Sequence, residues 1–294
     1  MSTAQIFLIS DCGSAANFKA WGQGISTQLD SAGWTKTADT GQVVWASNPA
    51  VPSAGTWTVY EIRQPASDQL QTGSTKYYVR IDYGHNGSTA GTVRVTLGIA
   101  TDGAGNFVGF ATTPLVVNGN GPGGTGATTW ECDFSWDASR LGVLLWRNAS
   151  NTQIPLMFAI ERTKTTAGAD STDGVSIFGC CNTTNLSSFQ QTIVFGIGVS
   201  PQNQLGYLSI GLPGGGAATS LAFNGSTPVT PVFPCYGKWG NPATVMAALA
   251  PSDTVEGSML TTTLYSATRT YVMTKTCPAV NNTPVSAYAI LRYD

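Results

Sequence analysis

Between Ser14 and Gly33 the apolar residues Phe18, Trp21, Ile25 and Leu29 recur three, four and four positions apart, which is the spacing of one helical face. Gly33 stands where a left-handed C-cap residue is expected. Gly22 and Gly24 each weaken such a helix by about 1 kcal/mol relative to alanine. The pattern therefore predicts an amphipathic helix whose docking face is Phe18, Trp21, Ile25 and Leu29 and which persists by packing that face on a sheet. A shorter helix is expected over Ala243–Leu249, stopped by Pro251.

Most of the remaining chain alternates or clusters as strands do. β-Branched and aromatic runs at Gln42–Ala46, Trp57–Arg63, Tyr77–Tyr83 and Thr92–Ile99 are separated by Gly, Pro, Ser and Asn. Thr101–Asn106 reads as a turn leading to a strand at Phe107–Thr112, with Gly103 and Gly105 free to take positive φ. Further runs lie at Arg140–Arg147, Leu156–Arg162, Thr192–Gly196, Tyr207–Gly211, Met259–Ser266, Arg269–Thr274 and Ala287–Tyr293. This pattern predicts an all-β fold, mainly an antiparallel sandwich or barrel of jelly-roll-like type, with one N-terminal helix on the sheet. The segment Asn118–Ala127, NGNGPGGTGA, reads as an interdomain linker or a long surface loop. Taken as a linker, it divides a helix-plus-β domain at 1–118 from a β-sandwich domain at 128–294. No fixed-period repeat argues for a propeller, solenoid or fibre.

Composition narrows the partners. Only 10% of the 294 residues are charged, against about 25% in ordinary globular proteins. Threonine, 39 residues against 6 lysines, takes the place of charge and suits a pleated surface. Fourteen basic and sixteen acidic residues leave a net charge of −2, with no Lys/Arg cluster to meet a phosphate backbone, so nucleic acid is not an expected partner. Apolar runs such as Ile6–Ile9 and Val143–Trp146 are far shorter than the ~20 residues of a membrane-spanning helix. The first basic residue is Lys19, so no export signal is read and folding in a cytoplasm is expected. Cys12, Cys132, Cys180, Cys181, Cys235 and Cys277 then read as buried reduced thiols before metal ligands or disulfides, since none stands in a C-x-x-C pair.

Catalytic residue types are sparse. His85, in Gly84-His85-Asn86-Gly87, is the only imidazole, and no G-x-S-x-G elbow accompanies it. The acidic run Trp130–Asp137 places Glu131, Asp133, Ser135 and Asp137 on one strand face and Trp130, Cys132, Phe134 and Trp136 on the other. A solvated outer face is the leading reading, ahead of a calcium site or a sugar-cleaving carboxylate pair. Asp170–Gly174 reads as a turn, and the glycines at 119–124 lack the Lys-Ser/Thr of a phosphate loop. Trp34 and Trp239 are the more loop-like tryptophans, the pair that could stack on a sugar. No catalytic residue, cofactor or metal is expected.

Specific stretches carry a family likeness. Asn17-Phe18-Lys19-Ala20-Trp21-Gly22, continuing through Ile25, Leu29 and Ala32-Gly33-Trp34 to Asp39-Thr40-Gly41-Gln42 and Trp45, resembles the opening of tailed-bacteriophage virion structural or minor tail proteins. Tyr60-Glu61-Ile62, Tyr83-Gly84, Asp102–Asn106, Pro231–Pro234, Pro251-Ser252-Asp253 and Ala267–Tyr271 are similar to the same family. The resemblance implies a non-enzymatic virion component that assembles with copies of itself and other virion proteins. Its expected place is the tail tip, baseplate or fibre attachment, where it could face a host receptor or glycan. A head decoration or cement protein is the alternative within that class. A carbohydrate-binding module or polysaccharide depolymerase is the alternative outside it, followed by a bacterial adhesin.

Overall fold

The computed structural model describes residues 2–9, 12–70, 76–85, 90–112, 114–117, 129–147, 156–183, 185–194, 229–231, 243–249, 259–273 and 287–294. It is predominantly β, with three antiparallel sheets and an N-terminal helix. Sheet I holds β2 (Thr35–Lys36), β3 (Val59–Gln64), β4 (Tyr78–His85), β5 (Ala90–Gly98) and β6 (Leu115–Val117), in that order. In sheet II, β1 (Ser2–Ile9) lies beside β7 (Thr129–Asp137). β8 (Arg140–Arg147), β9 (Leu156–Lys164), β10 (Asp170–Thr183) and β11 (Asn185–Val194) follow. Sheet III is built from β12 (Val229–Pro231), β13 (Val245–Leu249), β14 (Met259–Leu264), β15 (Ala267–Met273) and β16 (Ala287–Arg292), ordered β12-β13-β16-β15-β14.

Helix α1 spans Ala15–Ser31. The Ser14 hydroxyl caps its start by accepting from the Asn17 amide at 3.2 Å. Its end is a Schellman turn: Trp34 N–H donates to Leu29 O, Gly33 N–H donates to Asp30 O, and Gly33 has φ 74°. Phe18, Trp21, Ile25 and Leu29 are all buried, joining Val79, Ile81, Tyr83, Val93, Val95 and Leu97 of sheet I in one core. At about 1.5–3 kcal/mol per buried large side chain, this docking outweighs the two glycine penalties. Trp21 and Trp45 meet the Tyr83 ring edge-on at 5.6 and 5.1 Å. Gly22 has a packing role as well. A Cβ there would lie 2.1 Å from the Trp45 indole, so only glycine admits that ring.

The same core continues into sheet II through Phe134, Trp136, Leu141, Phe158, Ile160, Val175 and Ile177. β1 pairs with β7, Ile9 facing Thr129, so the first strand joins a sheet formed from residues beyond 128. The 118–127 segment, expected as a domain boundary, lies outside the described residues, as does the strand expected at Tyr207–Gly211.

Three local expectations are corrected. Gln42–Ala46 is not a strand, because the Gln42 side chain does the work of a ladder: its Oε1 accepts the Ile62 amide at 2.7 Å and its Nε2 donates to Thr37 O and Asp39 O. The chain then closes into a 3-10 turn at Trp45–Ser47. Phe107–Thr112 makes only isolated bridges, Thr101 with Phe107 and Gly98 with Ala111. There the Phe107 ring lies over Gly98, and the Thr112 hydroxyl accepts the Leu97 amide. Ala243–Leu249 is not a helix; β13 runs through Val245–Leu249 between β12 and β16, and the two-sided ladder overrides its helix-forming Met, Ala and Leu.

Candidate functional site

Charge is scarce in this chain, and much of it is inside. Asp39, Glu61, Arg63, Asp68, Asp82, Arg140, Glu161, Arg162 and Arg292 are all buried. Most of them gather at three junctions between layers.

The first junction binds α1 to sheet I. Strand alternation puts Glu61 and Arg63 on the same face as Val59, toward the helix. Arg63 donates to Glu61 Oε2 at 2.8 and 2.9 Å, to Asp30 Oδ1 at 2.5 Å, to Trp34 O at 2.6 Å and to the Ser26 hydroxyl at 2.8 Å. Glu61 further accepts from Ser26 and Tyr83 and pairs with Lys36 Nζ at 3.3 Å. Burial alone would depress the Arg63 pKa, but the Glu61 and Asp30 carboxylates outweigh it and raise it. The Tyr83 phenol is pushed well up by burial and by the adjacent Glu61 charge.

The second junction joins sheet I to sheet II. α2 (Ala66–Leu70) carries Asp68, which takes a two-pronged contact from Arg162 of β9: Nε to Oδ1 at 3.1 Å and Nη2 to Oδ2 at 2.6 Å. Neither side chain is exposed. Asp68 Oδ2 also accepts the Tyr77 amide, while Arg162 Nη1 donates to Ser171 O and Thr172 O. The guanidinium lies 5.2 Å from the Tyr77 ring centroid. Tyr77 itself is buried with no hydrogen-bond partner for its hydroxyl among the described residues, and burial and Asp68 push its pKa well up.

The third junction fastens sheet III to sheet II. Glu161 of β9 accepts the amides of Ala243 at 2.9 Å and Thr244 at 2.9 and 3.1 Å, and Tyr271 of β15 donates to Ala243 O at 2.7 Å. Opposite Glu161, Arg140 of β8 reaches Asp137 at 3.2 Å, the Ser135 hydroxyl at 2.9 Å and Asp294 O at 2.7 Å. Burial and the nearby Arg292 lower Arg140 to about 10. Burial raises Glu161, only partly offset by the Thr244 and Ala243 amides. Burial acts to raise Asp137 too, but Arg140, the Ser139 amide and Lys164 together hold it below the usual carboxylate range.

A fourth, partly exposed row crosses the outer face of sheet I. Asp82 is clamped between Arg80 at 2.7 Å and Arg94 at 3.2 Å, and these lie over the rings of Tyr60 and Trp57 respectively. The Tyr60 hydroxyl end abuts Gly105, and the Trp57 six-membered ring abuts Gly84. With arginine on one side and backbone on another, these rings are occupied internally and present no open stacking platform. Beside them, Asp39 ties loop 101–107 to loop 39–41 by accepting Gly105 N–H and the Thr101 hydroxyl.

The residues singled out from the sequence do not converge. His85 ends β4, half-buried, its backbone bonded to Gly55 and Thr56. Glu131 and Asp133 lie on β7, their side chains outside the described set. The face they share is not a solvated edge at its far end, because Ser135 is fully buried and Asp137 belongs to the third junction. Asp170 pairs with Lys164 and opens an irregular start to β10. Trp34, expected to be loop-like, is 1% exposed as the closing residue of the Schellman turn; Trp239 lies outside the described residues. Cys12 is a buried cysteine packed against Gly91. Among the described residues no three His, Cys, Asp or Glu side chains are grouped to hold a metal. Sequence reasoning missed the junctions, although opposite charges two apart on strands (Glu61/Arg63, Arg80/Asp82) were a readable signal. Comparison of the chain with protein-family models, with curated proteins and with solved structures returned no match.

Proposed function

We propose that the protein is a structural subunit of a tailed-phage particle, sited at the tail tip, baseplate or fibre attachment and assembling symmetrically with copies of itself and other virion proteins. The observation that carries this reading is where the charge sits. Among the described residues nine charged side chains are buried, most of them bracing one layer against the next. The outside keeps hydroxyls, amides and exposed apolar residues such as Val44, Val108 and Met259. A neutral surface loses little on desolvation and suits the core of a protein–protein interface, which is depleted of charge. Contacts made that way are also insensitive to salt, unlike exposed ion pairs. The internal pairs, shielded from ions, brace the subunit itself.

The test is light scattering coupled to size exclusion at low and high salt, followed by cryo-electron microscopy of the intact particle. The expected result is an oligomer that survives high salt and density for the chain in the tail. A soluble 30.6 kDa monomer at high concentration that retains no particle protein would overturn the proposal. So would a glycan-cleaving activity abolished by Glu131→Gln in a folded protein.

A further inference from the structure

We infer that β14 is a docking edge for a second copy of this chain, the two β14 strands pairing antiparallel about a two-fold axis through Thr262 and joining two copies of sheet III. β14, Met-Leu-Thr-Thr-Thr-Leu, is the last strand of its sheet, and among the described residues it pairs only with β15. Its residues alternate exposed and half-buried and none is buried; Met259 is 53% exposed. Natural edge strands are blunted by lysine, proline, bulges or covering loops. β14 contains no charge and no proline, and its register to β15 runs unbroken from Met259–Val272 to Leu264–Ala267.

The edge is also held firmly. The hairpin turn, Tyr265-Ser266, has φ of 49° and 61°, the mirror-image turn that matches strand twist but which favours Asn-Gly. Two non-glycine residues in that region are strained, and surrounding contacts hold them there. Tyr265 packs on Gly168 in the β9–β10 turn, while Asp294 accepts the Thr270 amide behind the strand. A strand fixed on one side and, among the described residues, open on the other is preorganised for addition.

Symmetry selects the occupant. A two-fold axis normal to the sheet keeps each face on its own side, so paired residues must have the same parity. With Thr262 on the axis, Leu260 faces Leu264 of the copy twice over, on the side where Leu260 already lies opposite buried Tyr271. On the exposed face Thr261 meets Thr263, a neutral hydroxyl pair of the kind that stabilises sheets. The other edge of sheet III, β12, is three residues long and ends in Pro231, which has no N–H to donate, so head-to-tail pairing of β14 with β12 is poor. One strand edge supplies less than the ~800 Å² per partner of a standard interface, so the association is expected to be weak and concentration-dependent. The inference is independent of the virion reading: a virion subunit could oligomerise by other surfaces, and this pairing could serve a protein outside any particle.

The experiment uses the full chain at increasing concentration in sedimentation velocity. Thr261→Lys/Thr263→Lys places like charges opposite each other on exposed positions and should leave a folded monomer by circular dichroism. Thr261→Glu/Thr263→Glu should do the same. Mixing the two variants should restore the dimer, which neither misfolding nor a distant interface would produce. Thr262→Cys should form a disulfide-linked dimer under mild oxidation, because cross-strand Cα separations of about 4.5–5.5 Å suit the bond; Thr261→Cys should not. A wild-type chain that stays monomeric, a Lys/Lys variant that still dimerises, or a mixture that stays monomeric overturns the inference.

Discussion

Removing the Asp68 charge tests whether the layers are held together by their buried ions. Asp68 and Arg162 are 94 positions apart, wholly enclosed, and joined by two hydrogen bonds at 2.6 and 3.1 Å. Asp68→Leu leaves a guanidinium in the interior without its carboxylate, and breaking a buried pair on one side costs about 3–5 kcal/mol. Arg162→Met leaves the buried carboxylate with the Tyr77 amide and the Ser67 hydroxyl but no cation, and should cost a similar amount. The double variant behaves differently. Exchanging both ions for apolar groups is often neutral or gains about 1–4 kcal/mol, and here it leaves the Tyr77 amide without Asp68, at about 1–3 kcal/mol, while Thr172, whose carbonyl also loses Arg162, is exposed to water. The double variant should therefore cost no more than either single one, giving a coupling energy of roughly 3 kcal/mol or more in a double-mutant cycle. Urea unfolding followed by tryptophan fluorescence and by circular dichroism measures all four corners. Additive losses, or single losses below about 1 kcal/mol, would refute the bracing role.

Tyr77→Phe removes a buried hydroxyl that has no hydrogen-bond partner among the described residues and should stabilise by about 1 kcal/mol, read as a rise of some degrees in Tm. Gly22→Ala gains helix propensity yet drives a methyl into the Trp45 indole, so the net change should be destabilising by about 1–2 kcal/mol in the same melts. Ser266→Gly relieves one left-handed residue and should stabilise the hairpin by about 1 kcal/mol. Stability should also fall toward both extremes of pH, checked by Tm between pH 3 and 11. The carboxyls of Asp39 and Asp137 sit below their ordinary values, so their contribution is present above about pH 4 and lost as pH drops through the lowered values, with the raised Glu161 acting in the opposite sense. Tyr77, Tyr83 and Tyr271 are raised, so their contribution holds below about pH 10 and is lost above it, outweighing the relief of Arg140.

What was legible in the sequence followed from local periodicity. Phe18, Trp21, Ile25 and Leu29 announce α1 because a 3.6-residue repeat is visible in one window, and Gly33 marks its end because a single backbone conformation demands it. Strands β8, β9, β15 and β16 appear where β-branched and aromatic runs lie between turns. What was not legible depended on distant partners. Nothing local distinguishes Ala243–Leu249 as a strand, since neighbours in β12 and β16 decide it. Trp34 reads as a loop residue until its carbonyl is seen under Arg63. The acidic face of β7 looks solvated because Arg140 and Arg292, which claim Asp137, come from other strands.

The placement of β1 sets a schedule for synthesis. Its partner strand begins about 120 residues later, so during translation at ~5–20 residues per second the ribosome needs about 6–24 s to supply it. Through that interval Ser-Thr-Ala-Gln-Ile-Phe-Leu-Ile is an uncharged, β-prone segment without its ladder. Meanwhile α1 and sheet I have every strand they need by residue 117 and can close first. The nascent chain thus carries an unpaired, β-prone strand beside a completed unit until residues 129–137 emerge, and codon pacing or a holding chaperone acting on Ser2–Ile9 in that interval would raise yield.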